Sequence, residues 1–316
     1  MVTSFHHPVP SAYAVSPESI EARGPLVGTY SIVGYDPRES AWGVAIASRF
    51  LAVGALTRWG DPTGGIVVVQ AHFNARNGAE ALVLLKQGMP SSDAIAYLMA
   101  KDPHRAYRQM AAIDRRGKMT SYTGPLCNAW AGGLVSEYCA AQGNTLTDCS
   151  VVRGMVDTFQ AERGPLAHRL VRALSAGEQQ GGDLRGRQSA SLLVVSPSPE
   201  VPFDVFSHTT IDLRVDDHPQ PLQELKRLLD LHDLLWQPTA EADRLPFDRD
   251  TVRRLQLALS RLGHYSGNSD GQYNEDTRRA LRQITYLYNL RRRMENEWID
   301  QKILEYLEQR GSNTDT

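Results

Sequence analysis

The chain has 316 residues, 41% of them hydrophobic and 22% charged, which is enough for a soluble core and more than one average domain holds. A formal net charge of −2 gives no global electrostatic reason to bind nucleic acid or an anionic membrane. No stretch reaches the ~18 apolar residues of a membrane span, and the start, MVTSFHHPVPSAYAV, lacks the basic-then-apolar order of a secretory signal, so the expected location is the cytoplasm.

Residues 1–28 carry Pro and Ser without periodicity and read as a leader: a disordered extension, a propeptide or a mistaken start. TYSIVGY (29–35) and AWGVAIAS (41–48) are strand-like and flank the turn DPRES (36–40), a hairpin pattern. GIVVVQ (65–70) is a short apolar run of the kind buried on both faces. Helices are expected over 75–87, ended by Gly88, and over 91–99, with Ser91 as N-cap. Residues 108–114 and 118–123 flank Arg115-Arg116-Gly117 as a second hairpin, with a strand near 136–142. Helices follow at 148–163 and 165–176, then a strand at 188–195 and another at 211–215.

Two strand blocks, each followed by a helix pair, fit an α+β domain built as a four-layer α/β/β/α sandwich; a two-layer α+β domain is the alternative. This domain is expected over 29–215. Residues 216–247 read as a helix with a leucine stripe, then a linker (236–246) with two prolines. Residues 248–316 read as a small all-α domain with helices at 250–262, 274–290 and 299–309. This tail holds 12 Lys+Arg against 11 Asp+Glu, so Arg291-Arg292-Arg293 does not make it a basic nucleic-acid module.

Three strong catalytic motifs are absent: no H-E-x-x-H, no G-x-x-x-x-G-K-[ST] and no G-x-G-x-x-G. The nine histidines nominate no metal site, and His72 and Asn74, after a buried strand, are weak candidates. Cys127, Cys139 and Cys149 have no C-x-x-C spacing and no evident His/Asn partner, which favours reduced, packed thiols over a nucleophile.

GTYSIVGYDPRESAWGVAIASRFLAVGA (28–55), CNAWAG (127–132), QGN (142–144) and GGDLRGRQSASLLVV (181–195) resemble a bacterial family of unknown function, the ten-twenty-eight family, which has an N-terminal-nucleophile (Ntn) hydrolase-like fold. The resemblance spans roughly 29–215 and implies Thr29 as nucleophile. One residue then supplies both a hydroxyl and an α-amine whose ordinary pKa of ~7.7–8 suits a base at neutral pH. Because 28 residues precede it, Thr29 requires cleavage after Gly28, whose permissive backbone suits self-cleavage; otherwise Thr29 is an ordinary strand residue.

ASRF (47–50) is similar to the A-x-S-R segment of proteasome subunits. It singles out Ser48 as a substrate contact and Arg49 either as a charge stabiliser or as half of a structural ion pair. The lysine base of those relatives has no counterpart in the second strand. In GGDLRGRQSA, Arg185 and Arg187 share a face if extended, with Asp183 or a substrate carboxylate between them. Asn144 and Gln188 are candidate donors to an oxyanion or substrate amide, or else capping residues.

Val252–Ile284, with a helix, a glycine turn, D-G-Q-Y and a second helix, resembles peptidoglycan-binding modules. The expected activity is a cytoplasmic amidohydrolase acting on a small carboxylate-bearing C–N substrate, with no metal or organic cofactor and no nucleic-acid or membrane partner. A homo-oligomer stays open, and peptidoglycan is the less favoured partner. The rival readings are a non-catalytic ligand-binding or scaffold protein and a cell-wall binder acting through the tail.

Overall fold

The computed structural model describes residues 26–197, 209–290, 294–295 and 297–312. Arg291, Arg292 and Arg293 and the leader up to residue 25 lie outside them. The chain divides into two compact units, 1–227 and 228–316.

In the first unit the elements are β1 (Leu26–Val27), β2 (Thr29–Asp36), β3 (Ala41–Ser48), α1 (Val53–Leu56), β4 (Arg58–Asp61), β5 (Gly65–His72), α2 (Ala75–Lys86), α3 (Ser91–Lys101), β6 (Arg108–Asp114), β7 (Met119–Thr123), β8 (Gly132–Ser136), β9 (Cys139–Asn144), α4 (Ser150–Ala161), α5 (Leu166–Gln179), β10 (Ser189–Val195) and β11 (Thr209–Val215). One antiparallel sheet runs β1-β5-β6-β7, with β4 also on β5. The other runs β11-β10-β3-β2-β9-β8. Helices α2 and α3 cover the first sheet, α4 and α5 cover the second, and the sheets pack on each other: four layers, α/β/β/α.

The strands read as continuous apolar runs because both faces are covered. Val33, Val44, Ile46, Ile66, Val68, Ile113 and Leu193 fill the space between the sheets. Val67, Val69, Met110 and Ala112 alternate onto the other face of the first sheet, against Leu85, Ile95 and Leu98. Gly34 and Gly43 face each other across β2 and β3. A Cβ at Gly34 would lie 2.9 Å from the Phe159 ring, and one at Gly43 2.5 Å from Leu170, so these glycines let α4 and α5 approach the sheet.

Several local expectations are corrected. The single strand near 136–142 is two strands, turning at Tyr138 with φ 60°. Ser91 does not cap its helix. It is the first helical residue; its N–H donates to Asp114 and its hydroxyl to the Lys118 carbonyl. Leader residues Leu26 and Val27 pair with His72 and Ala71 on β5.

The 216–247 segment is not a helix followed by a free linker. Helix α6 (Pro221–Trp236) crosses the division between units, and its Leu234 belongs to the core of the second. Arg244–Pro246, expected within the linker, forms β12 and pairs with β13 (Trp298–Asp300).

The second unit adds α7 (Arg249–Arg261), α8 (Glu275–Leu287) and α9 (Gln301–Ser312) around Leu255, Leu259, Leu281, Ile284, Ile303 and Leu307. Helices α7 and α8 begin alike: an aromatic residue, an Asx cap, then Thr at the third helical position. Asp248 accepts from the Thr251 N–H at 2.8 Å and Asn274 from the Thr277 N–H at 2.9 Å. The two aromatics, Phe247 and Tyr273, stack with centroids 3.8 Å apart.

Candidate functional site

Register builds a polar row across one end of the larger sheet. Thr29 pairs with Ser48 on one side and Asn144 on the other, and Ser48 pairs with Ser189. Residues directly opposite in antiparallel strands project from the same face. All four are buried, Thr29 fully.

The chain leaves the smaller sheet after Val27 and enters the larger one at Thr29, so Gly28 spans the gap. Its carbonyl is clasped by two donors. Ser48 Oγ makes a short hydrogen bond to it, and Arg185 Nη2 donates at 2.9 Å. Thr29 Oγ1 lies 3.1 Å from Ser48 Oγ and 3.0 Å from the Val27 carbonyl, and its single hydrogen is shared between them. A hydroxyl chain therefore runs from Thr29 through Ser48 to the oxygen of the preceding peptide bond.

Arg185 is held in turn by Asp183. Its own N–H and Nε donate to Oδ1 at 3.0 and 3.1 Å, and Nη2 donates to Oδ2 at 2.8 Å. Asp183 also accepts from the Arg49 backbone N–H at 3.1 Å. Its buried carboxylate thereby compensates the guanidinium and fixes its direction.

Beneath Thr29 a polar seam joins the sheets. Gln70 Nε2 donates to the Thr29 carbonyl at 3.3 Å and to Gln109 Oε1 at 2.8 Å, while its Oε1 accepts from Ser31 Oγ at 2.8 Å. Gln109 Oε1 also accepts from Asn144 Nδ2 at 3.0 Å. Gln109 Nε2 donates to Thr123 Oγ1 and to the Gly143 carbonyl, each at 2.8 Å. Gln70, Gln109 and Asn144 are fully buried, so these partners offset their desolvation.

On the other face of β2, Tyr30 lines a cleft of about 540 Å³ with Arg49, Glu178, Asp183 and Arg187. Burial pushes the Glu178 carboxyl up, and the nearby Arg187 works against that rise. Arg187 Nε lies 3.1 Å from Glu178. Burial also pushes the Tyr30 phenol up. Asp183 links the cleft to the Gly28 carbonyl: it borders the cleft and holds Arg185, whose Nη2 reaches that carbonyl.

The sequence candidates separate accordingly. Thr29, Ser48, Asp183 and Arg185 come together around one carbonyl. Asn144 lies beside Thr29, but its amide is engaged by Gln109 and its oxygen by Thr145 Oγ1. Arg185 and Arg187 do not share an anion, because residues 181–188 form a loop rather than a strand and each guanidinium has its own carboxylate. Arg49 Nη1 donates to the Arg187 carbonyl at 2.9 Å, away from Thr29. Gln188 makes backbone bonds to Ser48 and His218. Asn74 caps α2, and His72 packs edge-on to Tyr107.

Gln70, Gln109 and Ser31 were missed by sequence reasoning. Their signal was a polar residue inside an apolar strand, as in GIVVVQ and RQMAAID.

Among the cysteines, burial pushes the Cys127 thiol up to about 12 and Cys139 up to about 11, which disfavours a thiolate at either. Cys149 is exposed, so packing does not account for it. Among the described residues no group of His, Cys, Asp and Glu is placed to hold a metal ion, and no helix is long and apolar enough to cross a membrane.

Residues 29–225 match the family described as "Family of unknown function (DUF1028)". Residues 234–307 match one described as "Putative peptidoglycan binding domain". The chain is similar to protein SPO2555 from Silicibacter pomeroyi, whose crystal structure is assigned to DUF1028. The two are 32% identical with a TM-score of 0.59, over 65% of this chain and 89% of that one. No curated protein matches.

Proposed function

The chain belongs to the DUF1028 family, and from its geometry we propose an amidohydrolase of the N-terminal-nucleophile type, with Thr29 as nucleophile. The observation that carries this reading is the clasp on the Gly28 carbonyl. Two donors hold the oxygen on which negative charge develops when the adjacent carbon is attacked. The hydroxyl of the very next residue touches one of them.

Self-cleavage follows from that arrangement. Thr29 Oγ bonds to the Gly28 carbonyl carbon while its proton passes to Ser48, whose own proton moves onto the Gly28 oxygen. Arg185 stabilises the partial negative charge that builds on that oxygen before the proton arrives. The carbon–nitrogen bond then breaks, the oxygen returns its proton through Ser48, and the Thr29 nitrogen gains the proton. The Gly28 acyl group is now an ester on Thr29 Oγ. Water hydrolyses it, releasing a chain that ends in the Gly28 carboxylate and leaving Thr29 with a free amine and hydroxyl.

The α-amine then serves as base for a substrate amide. It takes the hydroxyl proton and delivers it to the leaving nitrogen, and water again clears the ester. Arg185 and Ser48, freed of Gly28, hold the substrate carbonyl. A carboxylate on the substrate is assigned to Arg187 and Arg49 in the cleft, which Asp183 places one side chain away from the clasp. The tail's family match supports contact with a glycan-peptide wall as a second, separable property.

Intact mass and N-terminal sequencing of the purified protein test the reading. The expected chain begins at Thr29, whereas Thr29→Ala retains residues 1–28. A wild-type protein that keeps its leader and hydrolyses no amide in a library screen refutes it and favours a non-catalytic binding protein.

A further inference from the structure

Leu26–Val27–Gly28 occupies the place that the acyl half of a substrate must take if Thr29 is the nucleophile. Its details define what fits. Leu26 and Val27 lie as an antiparallel strand against His72 and Ala71 at the end of β5. Val27 is fully buried in the core between the sheets, beside Val53, Ile66 and Val68. The seat offers main-chain ladder bonds for an extended segment and an apolar place for the residue before the glycine.

The glycine position is closed to any side chain. A Cβ at Gly28 would lie 2.4 Å from Arg185 Nη2, 2.7 Å from its Cζ and 3.0 Å from Thr145 Oγ1. A long side chain usually moves aside cheaply, but this one cannot do so without loss. Its guanidinium and main-chain N–H make three bonds to the buried Asp183, and Nη2 is itself a donor to the carbonyl to be attacked. Moving it far enough to admit a methyl group removes one of the two donors on that oxygen. Thr145 sits at φ 57°, with its hydroxyl bonded to Asn144.

We infer that the site takes glycyl amides: an extended, peptide-like acyl group with an apolar residue before a glycine whose carbonyl is attacked. This rests on Thr29 being the nucleophile. The glycine is selected because the group that stabilises the carbonyl oxygen also fills the space where a side chain would stand. Losing one such donor costs about 10²–10³ in rate, which sets the discrimination expected between glycine and alanine.

The test uses the full chain after self-cleavage and two probes, acetyl-Leu-Val-Gly p-nitroanilide and acetyl-Leu-Val-Ala p-nitroanilide. The expected result is a kcat/KM about 100-fold higher for the glycyl probe. In parallel, Gly28→Ala is expected to slow loss of residues 1–28 by a similar factor, with circular dichroism unchanged. Equal rates on both probes, or no turnover of the glycyl probe by a chain that does cleave itself, overturn the glycyl assignment and leave the nucleophile standing. A wild-type chain that neither cleaves itself nor acts on either probe overturns both.

Discussion

Gln109→Leu isolates what the polar seam contributes. Leucine has nearly the same volume and suits the apolar surroundings, so the change removes hydrogen bonding with little loss of packing. Gln109 accepts from Gln70 Nε2 and from Asn144 Nδ2. After the change Gln70 keeps its bond to the Thr29 carbonyl at 3.3 Å, whereas Asn144 Nδ2 loses the acceptor it has in this structure. Each buried polar group left without a partner costs about 1–3 kcal/mol. Gln109 Nε2 also stops donating to Thr123 Oγ1 and to the Gly143 carbonyl. One full loss and three partial ones give about 2–4 kcal/mol, a large share of the ~5–15 kcal/mol of a typical domain. Urea denaturation followed by circular dichroism should show the midpoint of the first unit falling by about 1–2 M, given slopes of about 1–3 kcal/mol per M. Adding Asn144→Leu should recover part of that loss, because it removes the stranded donor. A midpoint unchanged within error, or a double variant less stable than the sum of the two single changes predicts, refutes the account of the seam as a mutually satisfied network.

Other expectations follow from the same geometry. Asp183→Asn weakens the hold on Arg185 and should slow self-cleavage about 10²-fold through misplacement of the donor, measured by intact mass over time; an unchanged rate contradicts the clasp. Burial would raise the Asp102 pKa, but bonds from Arg108 and Asn77 outweigh it and hold the carboxyl below its ordinary value. The stability this contributes is therefore present above the ordinary value of about 3.9 and is lost as pH falls toward the lowered one. The stability gap between wild type and Asp102→Asn should hold steady from about pH 5 to 7 and shrink below about 4; a gap that widens in acid reverses the sign and sinks the assignment. For the tail, retention on insoluble peptidoglycan that is lost when residues 228–316 are removed would support wall contact, and equal retention without them would exclude it.

The two-sheet arrangement was legible because its strands are apolar runs broken by turn residues, as at DPRES and Arg115-Arg116-Gly117. Thr29, Ser48, Asp183 and Arg185 could be singled out in sequence, the first two from short blocks of resemblance and the last two from polar residues crowded beside a strand. Their roles could not be read there. Arg185 and Arg187 share a face only in an extended chain, and glycines at 181, 182 and 186, all with positive φ, make the segment a loop instead. Alternation along a single strand says which residues share a face but not which strand lies opposite. The pairing of Thr29 with Asn144, and of Gln70 with Gln109, depends on contacts 115 and 39 positions apart in the chain. The leader strand was hidden for another reason. Two residues show no periodicity, and Leu26–Val27 is a strand because β5 supplies its partner.

The polar end of the sandwich has a consequence for access. Thr29 has no exposed surface while Leu26–Gly28 stays in place, and Val27 belongs to the core between the sheets. A nucleophile in that position can act on the one carbonyl already beside it, and external substrate is shut out. Loss of residues 26–28 changes both conditions together: it uncovers the hydroxyl and it frees Ser48 and Arg185 to receive another carbonyl. Because the seam through Ser31, Gln70, Gln109 and Asn144 ties β2 and β9 to the opposing sheet without using Leu26, Val27 or Gly28, it remains when they depart. The floor of the site is therefore expected to keep its shape after cleavage. Hydrogen exchange checks this directly. Amides of residues 29–33 and 140–144 should stay protected in the self-cleaved chain, while the amide at the end of β5 that faced the departed strand should exchange faster. Exchange that quickens along β2 as well would mean that the leader, and not the seam, holds the nucleophile in place.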